Sequence, residues 1–212
     1  MIAVLDYGMG NLRSVEKALE HVGTEVEITH DAARVRAASG LVLPGVGAFP
    51  KAMTAIRGRG LDELIHERWL EGIPVLGICL GMQLLFGAST ELGGAGGLGL
   101  LAGDVRALDA PGLKVPHIGW NSVTWHRESP LLAGIPNPAA FYHVHSFAAA
   151  SENGGDRLGA HADAGHVLGT AEYGSEFISA VEGPNVWGVQ FHPEKSGPDG
   201  LALLRNFVEL AQ

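Results

Sequence analysis

A single cysteine, Cys79, occurs in a chain of 212 residues. One thiol cannot form an internal disulfide, so the fold must rest on its apolar core, and such sparing cysteine usage suits a reducing cytoplasm. Cationic residues are also scarce. There are 14 Lys and Arg against 23 Asp and Glu, a formal net charge of −9 with the histidines neutral. Nucleic acid and anionic membrane surfaces repel a chain of this balance, so neither is an expected partner. No apolar run is long enough to span a bilayer. The opening Met1–Leu5 is apolar, but Asp6 follows at once, which does not read as a secretory signal. Neither a long linker nor an internal repeat divides the chain. The expectation is one soluble, cytoplasmic domain over 1–212.

The apolar pattern changes character along the chain. Ile2–Leu5, Leu41–Leu43 and Val75–Ile78 are continuous apolar runs, as expected of strands covered on both faces. Glu25–Ile28 alternates like a short strand. Between these, Leu12, Val15, Ala18, Leu19 and Val22 recur at helical spacing, with Asn11 placed to cap the helix and Gly23 to end it. Lys51–Arg57, Leu61–Glu71 and Leu80–Phe86 also read as helices. Strands alternating with helices predict a doubly wound α/β fold with a mostly parallel sheet. After residue 100 short strands dominate: Asp104–Leu108, Ser122–Trp125, Phe141–Phe147, His166–Tyr173, Ile178–Val181 and Val186–Phe191. Leu201–Leu210 closes the chain as an amphipathic helix. The sheet is therefore expected to be mixed.

The lone cysteine sits in VLGICLGMQLLF, Val75 to Phe86. Gly77-Ile-Cys79-Leu-Gly81 has the Gly-x-nucleophile-x-Gly spacing of a strand that turns sharply into a helix. Such a turn strains the central residue, and small neighbours relieve the crowding. It also projects the sulfur beyond the strand's carboxyl end, at a helix N-terminus that favours thiolate, with the Leu80 amide near a developing oxyanion. The plainer alternative is a cysteine that is simply buried. A thiol attacking an amide also needs a base to activate it and an acid for the departing amine. WGVQFHPEKSG, Trp187–Gly197, supplies His192 at a strand end and Glu194 two residues on, with Pro193 fixing one backbone angle between them. A carboxylate there can hold the imidazole in one tautomer, as in a Ser-His-Asp triad. Alone, His-Pro-Glu could be an ordinary strand end. Beside the elbow it completes a Cys-His-Glu triad.

With these motifs in place the chain resembles the class I, triad-type glutamine amidotransferases. More narrowly it resembles the glutaminase subunits of imidazole glycerol phosphate synthase, from histidine biosynthesis. The resemblance rests on DYGMGNLRSV (6–15), LPGVGAF (43–49), GICLGMQLLF (77–86), GLGLLAGDV (97–105), PHIGWN (116–121), HVHSF (143–147) and GVQFHPEKSG (188–197). It implies a flavodoxin-like core and hydrolysis of L-glutamine through a thioester on Cys79. The oxyanion would be held by the amides of Leu80 and of the Gly45–Gly47 stretch, Val46 above all. Gln83, Ser146 and Phe147 would bind glutamine. Ammonia would pass to a separate (β/α)8 cyclase subunit, with Asn11, Trp120, Tyr142 and Lys195 at its interface. Their blander roles are a helix cap, a core aromatic, a strand residue and a solvated lysine. No cofactor or metal is implied. Two positions depart from the family pattern: Phe147 replaces an aromatic hydroxyl, and His143 replaces a larger apolar residue.

Other features point to less. Gly94-Ala-Gly96-Gly-Leu-Gly99 fits GxGxxG, but no strand leads into it and no capped helix follows, so it reads as a flexible loop. His143 and His145 share a strand face without an evident third ligand, so a metal site is not expected. His126, His161 and His166 read as surface or core fillers, and Leu84–Phe86 as core. Three rivals remain: a partner-independent cysteine hydrolase, a small-molecule sensor with a decayed site, and another amidotransferase such as the pyridoxal phosphate glutaminase. The last would normally differ at Val46–Phe49.

Overall fold

A computed structural model describes residues 1–150 and 164–212; His161 lies outside these residues. The strands are β1 (Ile2–Leu5), β2 (Val26–Thr29), β3 (Gly40–Gly45), β4 (Val75–Cys79), β5 (Ala88–Ser89), β6 (Ala95–Gly96) and β7 (Asp104–Ala107). They continue as β8 (His117–Trp125), β9 (Ala139–His145), β10 (Phe147–Ala149), β11 (Val167–Tyr173), β12 (Ser175–Gly183) and β13 (Val186–Val189). The helices are α1 (Leu12–His21), α2 (Ala32–Ala37), α3 (Phe49–Arg57), α4 (Leu61–Leu70), α5 (Leu80–Leu84) and α6 (Gly197–Leu210).

Among the described residues the 13 strands join in one mixed sheet, whose main path runs β2-β1-β3-β4-β13-β12-β10-β7-β5-β6. From β2 to β13 every pairing is parallel. From β13 to β12, and on through β10 and β7, the pairings are antiparallel. β11, β8 and β9 branch from β12 as an antiparallel extension.

Strand periodicity explains the layers. Side chains alternate across a strand, so Ile2 and Val4 of β1 enter one core and Ala3 and Leu5 the other. The first core takes Val15 and Leu19 of α1 and Leu203, Leu204 and Phe207 of α6. The second takes Phe49, Met53 and Ile56 of α3 and Leu61, Leu64 and Ile65 of α4. Helices thus cover both faces of the parallel part, as the continuous apolar runs predict. No described helix is long and apolar enough to cross a membrane.

Some boundaries move. α2 is absent from the periodicity because its six residues bury only Val35; its sequence mark is Asp31, whose side chain accepts from the Arg34 amide at 3.0 Å. Asn11 occupies the cap position of α1, but its side chain makes no capping bond. Gly23 follows the helix end with φ +96°, as expected of a terminating glycine. α5 stops at Leu84, two residues short of Phe86. The expected strand Phe141–Phe147 breaks at Ser146, because the residues before it pair with β8 and those after it with β7 and β12. The glycine stretch 94–99 is tied down rather than loose. Ala95 and Gly96 pair with β5, and a Cβ on Gly97 would lie 2.1 Å from the Phe86 carbonyl oxygen.

Candidate active site

Cys79 ends β4 and stands directly before α5. Its φ of +54° and ψ of −112° are costly for a residue with a Cβ, on the order of 1–3 kcal/mol. The surrounding packing outweighs that cost. Ile78, Leu80, Met82, Leu84, Leu85 and Phe86 are all buried, and each fully buried large side chain contributes about 1.5–3 kcal/mol. The glycines of the elbow are required by contact. A Cβ on Gly81 would lie 1.6 Å from the Leu43 carbonyl oxygen, and one on Gly77 would lie 2.7 Å from the Gly81 oxygen and the Met82 backbone.

The Gly45–Gly47 stretch lies alongside, since β3 pairs with β4 and brings Gly45 opposite Cys79. A Cβ on Gly45 would come within 2.2 Å of the Tyr7 hydroxyl. That hydroxyl donates to the Pro44 carbonyl at 2.6 Å and so pins the backbone before the stretch. Burial, then the nearby Cys79, pushes the Tyr7 pKa upward, so it stays a phenol and a donor. Gly47 has φ +103°, and Val46 between the glycines is 44% exposed.

His192 follows β13 on a short connection, and its backbone is held on both sides. Its N–H donates to the Tyr142 carbonyl of β9 at 2.9 Å, and its carbonyl accepts from the Ser196 hydroxyl at 2.7 Å. The imidazole Nδ1 meets Glu194 Oε1 at 2.9 Å. A carboxylate accepts, so Nδ1 carries the proton and Nε2 is left free to act. Burial alone would lower the His192 pKa. The neighbouring Cys79 and Glu194, both of which favour the charged imidazolium, outweigh it and raise the imidazole to about 9. His192 thus bonds Glu194 on one side and lines a cavity with Cys79 on the other. The second Glu194 oxygen is buried with no protein partner among the described residues.

Cys79 is 5% exposed, yet it is not sealed in the core: it lines a cavity of about 290 Å3. Val46, Gly47, Leu80, Gln83, Ser146, Phe147 and His192 line the same cavity, so the expected nucleophile, base, oxyanion stretch and glutamine-binding residues come together. Glu194 stands behind His192, beside a much smaller cavity that it shares with Asn11 and Gly45. A larger open cleft of about 740 Å3, between Trp125 and Asn137, contains none of these residues.

Of the residues expected at a partner interface, Trp120 and Tyr142 are cross-strand partners with ring centroids 6.3 Å apart. The Lys195 ammonium lies 5.9 Å from the Tyr142 ring centroid, and Lys195 also lines the cavity. Trp120 is 58% exposed and is no core residue. Ile118, on the same face of β8, is 57% exposed. Asn11 lies apart from this cluster, in the small cavity beside His192 and Glu194.

Several site residues escape the sequence reading. Glu91 lines the main cavity while one of its oxygens accepts from the Phe49 amide at 2.8 Å. An acidic residue in a glycine-rich connection carries no motif. Gln190 is fully buried, accepts from Gln83 Nε2 at 3.0 Å and places its own Nε2 3.7 Å from the Cys79 sulfur. It sits inside GVQFHPEKSG, two residues before His192, but strand patterning gives it no role. His117 joins the expected pair His143 and His145. Its Nδ1 lies 3.2 Å from His145 Nε2, and its ring stacks on Tyr173. His143 bridges the Phe141 carbonyl and the Ser179 hydroxyl, and His145 Nδ1 donates to the Phe147 carbonyl at 3.0 Å. Burial pushes His143 and His145 down to about 3 and lowers His117, so all three are neutral. Their ring nitrogens serve hydrogen bonds, and no described group of His, Cys, Asp and Glu has the geometry to hold a metal.

Comparison with known proteins agrees with this geometry. The family model for glutamine amidotransferase class-I matches residues 3–211. The imidazole glycerol phosphate synthase subunit HisH of Moorella thermoacetica is 48% identical over 100% of this chain and 95% of its own length. That of Herpetosiphon aurantiacus is 49% identical over the same shares. Among solved structures, PurLQS from Thermotoga maritima superposes with a TM-score of 0.75 at 21% identity, over 100% of this chain and 98% of that one, which shows the shared fold. The chain therefore belongs to the class I glutamine amidotransferase family, alongside the HisH subunits of imidazole glycerol phosphate synthase.

Proposed function

We propose that this chain is the glutaminase subunit of an imidazole glycerol phosphate synthase, acting through a Cys79-His192-Glu194 triad. The observation that carries the reading is that His192, hydrogen-bonded to Glu194 through Nδ1, lines the same cavity as Cys79. In this mechanism the Cys79 thiolate attacks the side-chain carbonyl carbon of L-glutamine. The amides of Leu80 and Val46 hold the tetrahedral oxyanion. His192 gives its proton to the departing nitrogen, ammonia leaves, and a thioester remains on Cys79. Water, deprotonated by His192, then attacks the thioester; glutamate leaves and the sulfur returns to its starting state. Glu194 keeps the proton on Nδ1 and stabilises the imidazolium.

A cavity of about 290 Å3 is at the small end for ligand pockets, which suits an amino acid. Gln83, Ser146 and Phe147 bind the substrate there, and the Glu91 carboxylate is matched to its α-ammonium group. The whole span 1–212 works as a single domain, supported by the continuity of the sheet. Ammonia passes to a cyclase partner of (β/α)8 form. The exposed Trp120 and Ile118, with Tyr142 and Lys195 beside the cavity mouth, supply an apolar, aromatic docking face with a cation at its edge.

The test measures glutamate release from glutamine by the purified protein, alone and with the cyclase and its ribonucleotide substrate. A large increase on adding both is expected. Equal rates in every mixture would favour the partner-independent hydrolase. Cys79→Ala should abolish release and still bind the cyclase; a variant that keeps its activity would remove Cys79 from the chemistry.

A further inference from the structure

A carboxamide with no exposure must satisfy its donors and acceptor inside the protein, and Gln190 is such a group. Glutamine amides can be turned over without changing shape, so their direction has to be set by a partner that cannot reverse. Here that partner is the Phe147 carbonyl, which only accepts. It lies 2.8 Å from Gln83 Nε2, so Gln83 presents its NH2 group there. The other hydrogen of the same NH2 group meets Gln190 at 3.0 Å, so Gln190 must present Oε1. Gln190 Nε2 is then left facing the Cys79 sulfur at 3.7 Å. His145 Nδ1 also donates to the Phe147 carbonyl, at 3.0 Å, so both lone pairs of the anchoring oxygen are engaged.

An N–H aimed at sulfur discriminates between its two states. Toward a thiolate the bond is charge-assisted and strong; toward a neutral thiol it is weak. The other partner of the sulfur, the Val144 carbonyl at 3.7 Å, can accept only from the neutral thiol. Rotating Gln190 would place an oxygen against the thiolate, and the Phe147–Gln83 chain prevents this.

We propose that Gln190 is a positioning residue that stabilises the Cys79 thiolate, its direction set by the Phe147 carbonyl through Gln83. This rests on the reading of Cys79 as the nucleophile. It also assigns a polarity to the glutamine-binding wall. With both N–H groups of Gln83 committed, that residue offers a bound substrate only its carbonyl oxygen.

The test is alkylation of the full-length chain by iodoacetamide, followed across pH. With one cysteine in the chain, every label reports Cys79. Gln190→Met keeps most of the volume and removes the donor. Its labelling profile is expected to move about one pH unit higher, read as a loss of up to about tenfold on the rising limb, where each unit changes the thiolate fraction tenfold. A merely structural Gln190 would lower the melting temperature and leave the pH profile in place. A folded Gln190→Met protein whose profile overlays the parent would therefore overturn the proposal. If the variant does not fold, the side-chain amide resonances of Gln190 in the unmodified protein decide. They should shift with pH in step with alkylation, and resonances that stay still would overturn the assignment. Loss of the catalytic reading would show separately, as glutamate release by Cys79→Ala, and leaves the alkylation comparison intact.

Discussion

The parallel and antiparallel parts of the sheet build opposite walls of one cavity, by different means. In the parallel part, backbone packs on backbone. Gly45 lies opposite Cys79, and Gly81 sits so close to the Leu43 carbonyl that no side chain fits. In the antiparallel part, hydrogen bonds do the holding: Tyr142 to the His192 amide, Ser196 to the His192 carbonyl, and His145 and Gln83 to the Phe147 carbonyl. Cys79, the proposed nucleophile, is thus placed by steric fit, and His192, its proposed base, by polar contacts to Tyr142 of β9 and to Ser196. β13 joins the two regimes, parallel to β4 and antiparallel to β12. Damage to the first wall should show mainly as lost folding, and damage to the second mainly as lost chemistry or docking.

The most forceful way to break this contrast is Gly81→Ala. Its methyl group would have to displace β3 from α5, at an expected cost of about 3 kcal/mol or more. Chemical denaturation checks it, and an unchanged midpoint would remove steric fit as the principle of that wall.

Glu194→Gln tests the polar side. The carboxylate helps hold His192 at about 9, so its loss should lower turnover about 100-fold and move the alkaline fall of the pH–rate profile to lower pH. Linkage gives an independent sign. A histidine raised on folding stabilises fully below its unfolded value of about 6.5 and loses that contribution as pH rises. The stability gap between parent and variant should accordingly narrow as pH climbs through about 9. A pH–rate profile that does not move would separate Glu194 from the imidazole's protonation.

Trp120→Ala acts on the outer face of the antiparallel part. It should weaken binding of the cyclase by about 2 kcal/mol, some 30-fold, and change stability by less than about 0.5 kcal/mol. Calorimetric titration and a thermal melt read the two effects, and unaltered binding would put docking elsewhere. The smallest effect is expected from Asp31→Ala, which removes the cap of α2 at the far side of the parallel part. A loss of about 1 kcal/mol in stability with unchanged glutaminase turnover is expected. A drop in turnover would mean that α2 is coupled to the site.

Legibility followed how each feature is encoded. The parallel strands were readable because burial on both faces leaves an unbroken apolar run, as in Ile2–Leu5 and Val75–Ile78. The turn at Cys79 and the His192–Glu194 pair were readable because Gly77-x-Cys79-x-Gly81 and His192-Pro-Glu194 are local in the chain. The break at Ser146 was not, because neighbouring residues there belong to different strand pairings. Gln190 and Glu91 were missed for a related reason. A lone polar residue acquires a role only from what the fold places against it, whether Cys79 and Gln83 or the Phe49 amide. His117 lies 28 residues from His145 and becomes its partner only through the β8–β9 register.

The sequence by itself determined the parallel frame, the strained turn at Cys79 and the His192–Glu194 pair, because each depends on residues close along the chain and on the period of a strand. Only the tertiary structure decided that the sulfur opens onto a cavity, that Gln190 and His192 both face it, and that Trp120 stands exposed beside the site. Those are contacts between distant segments, and their distances and directions exist only once the antiparallel part has closed over the end of β4.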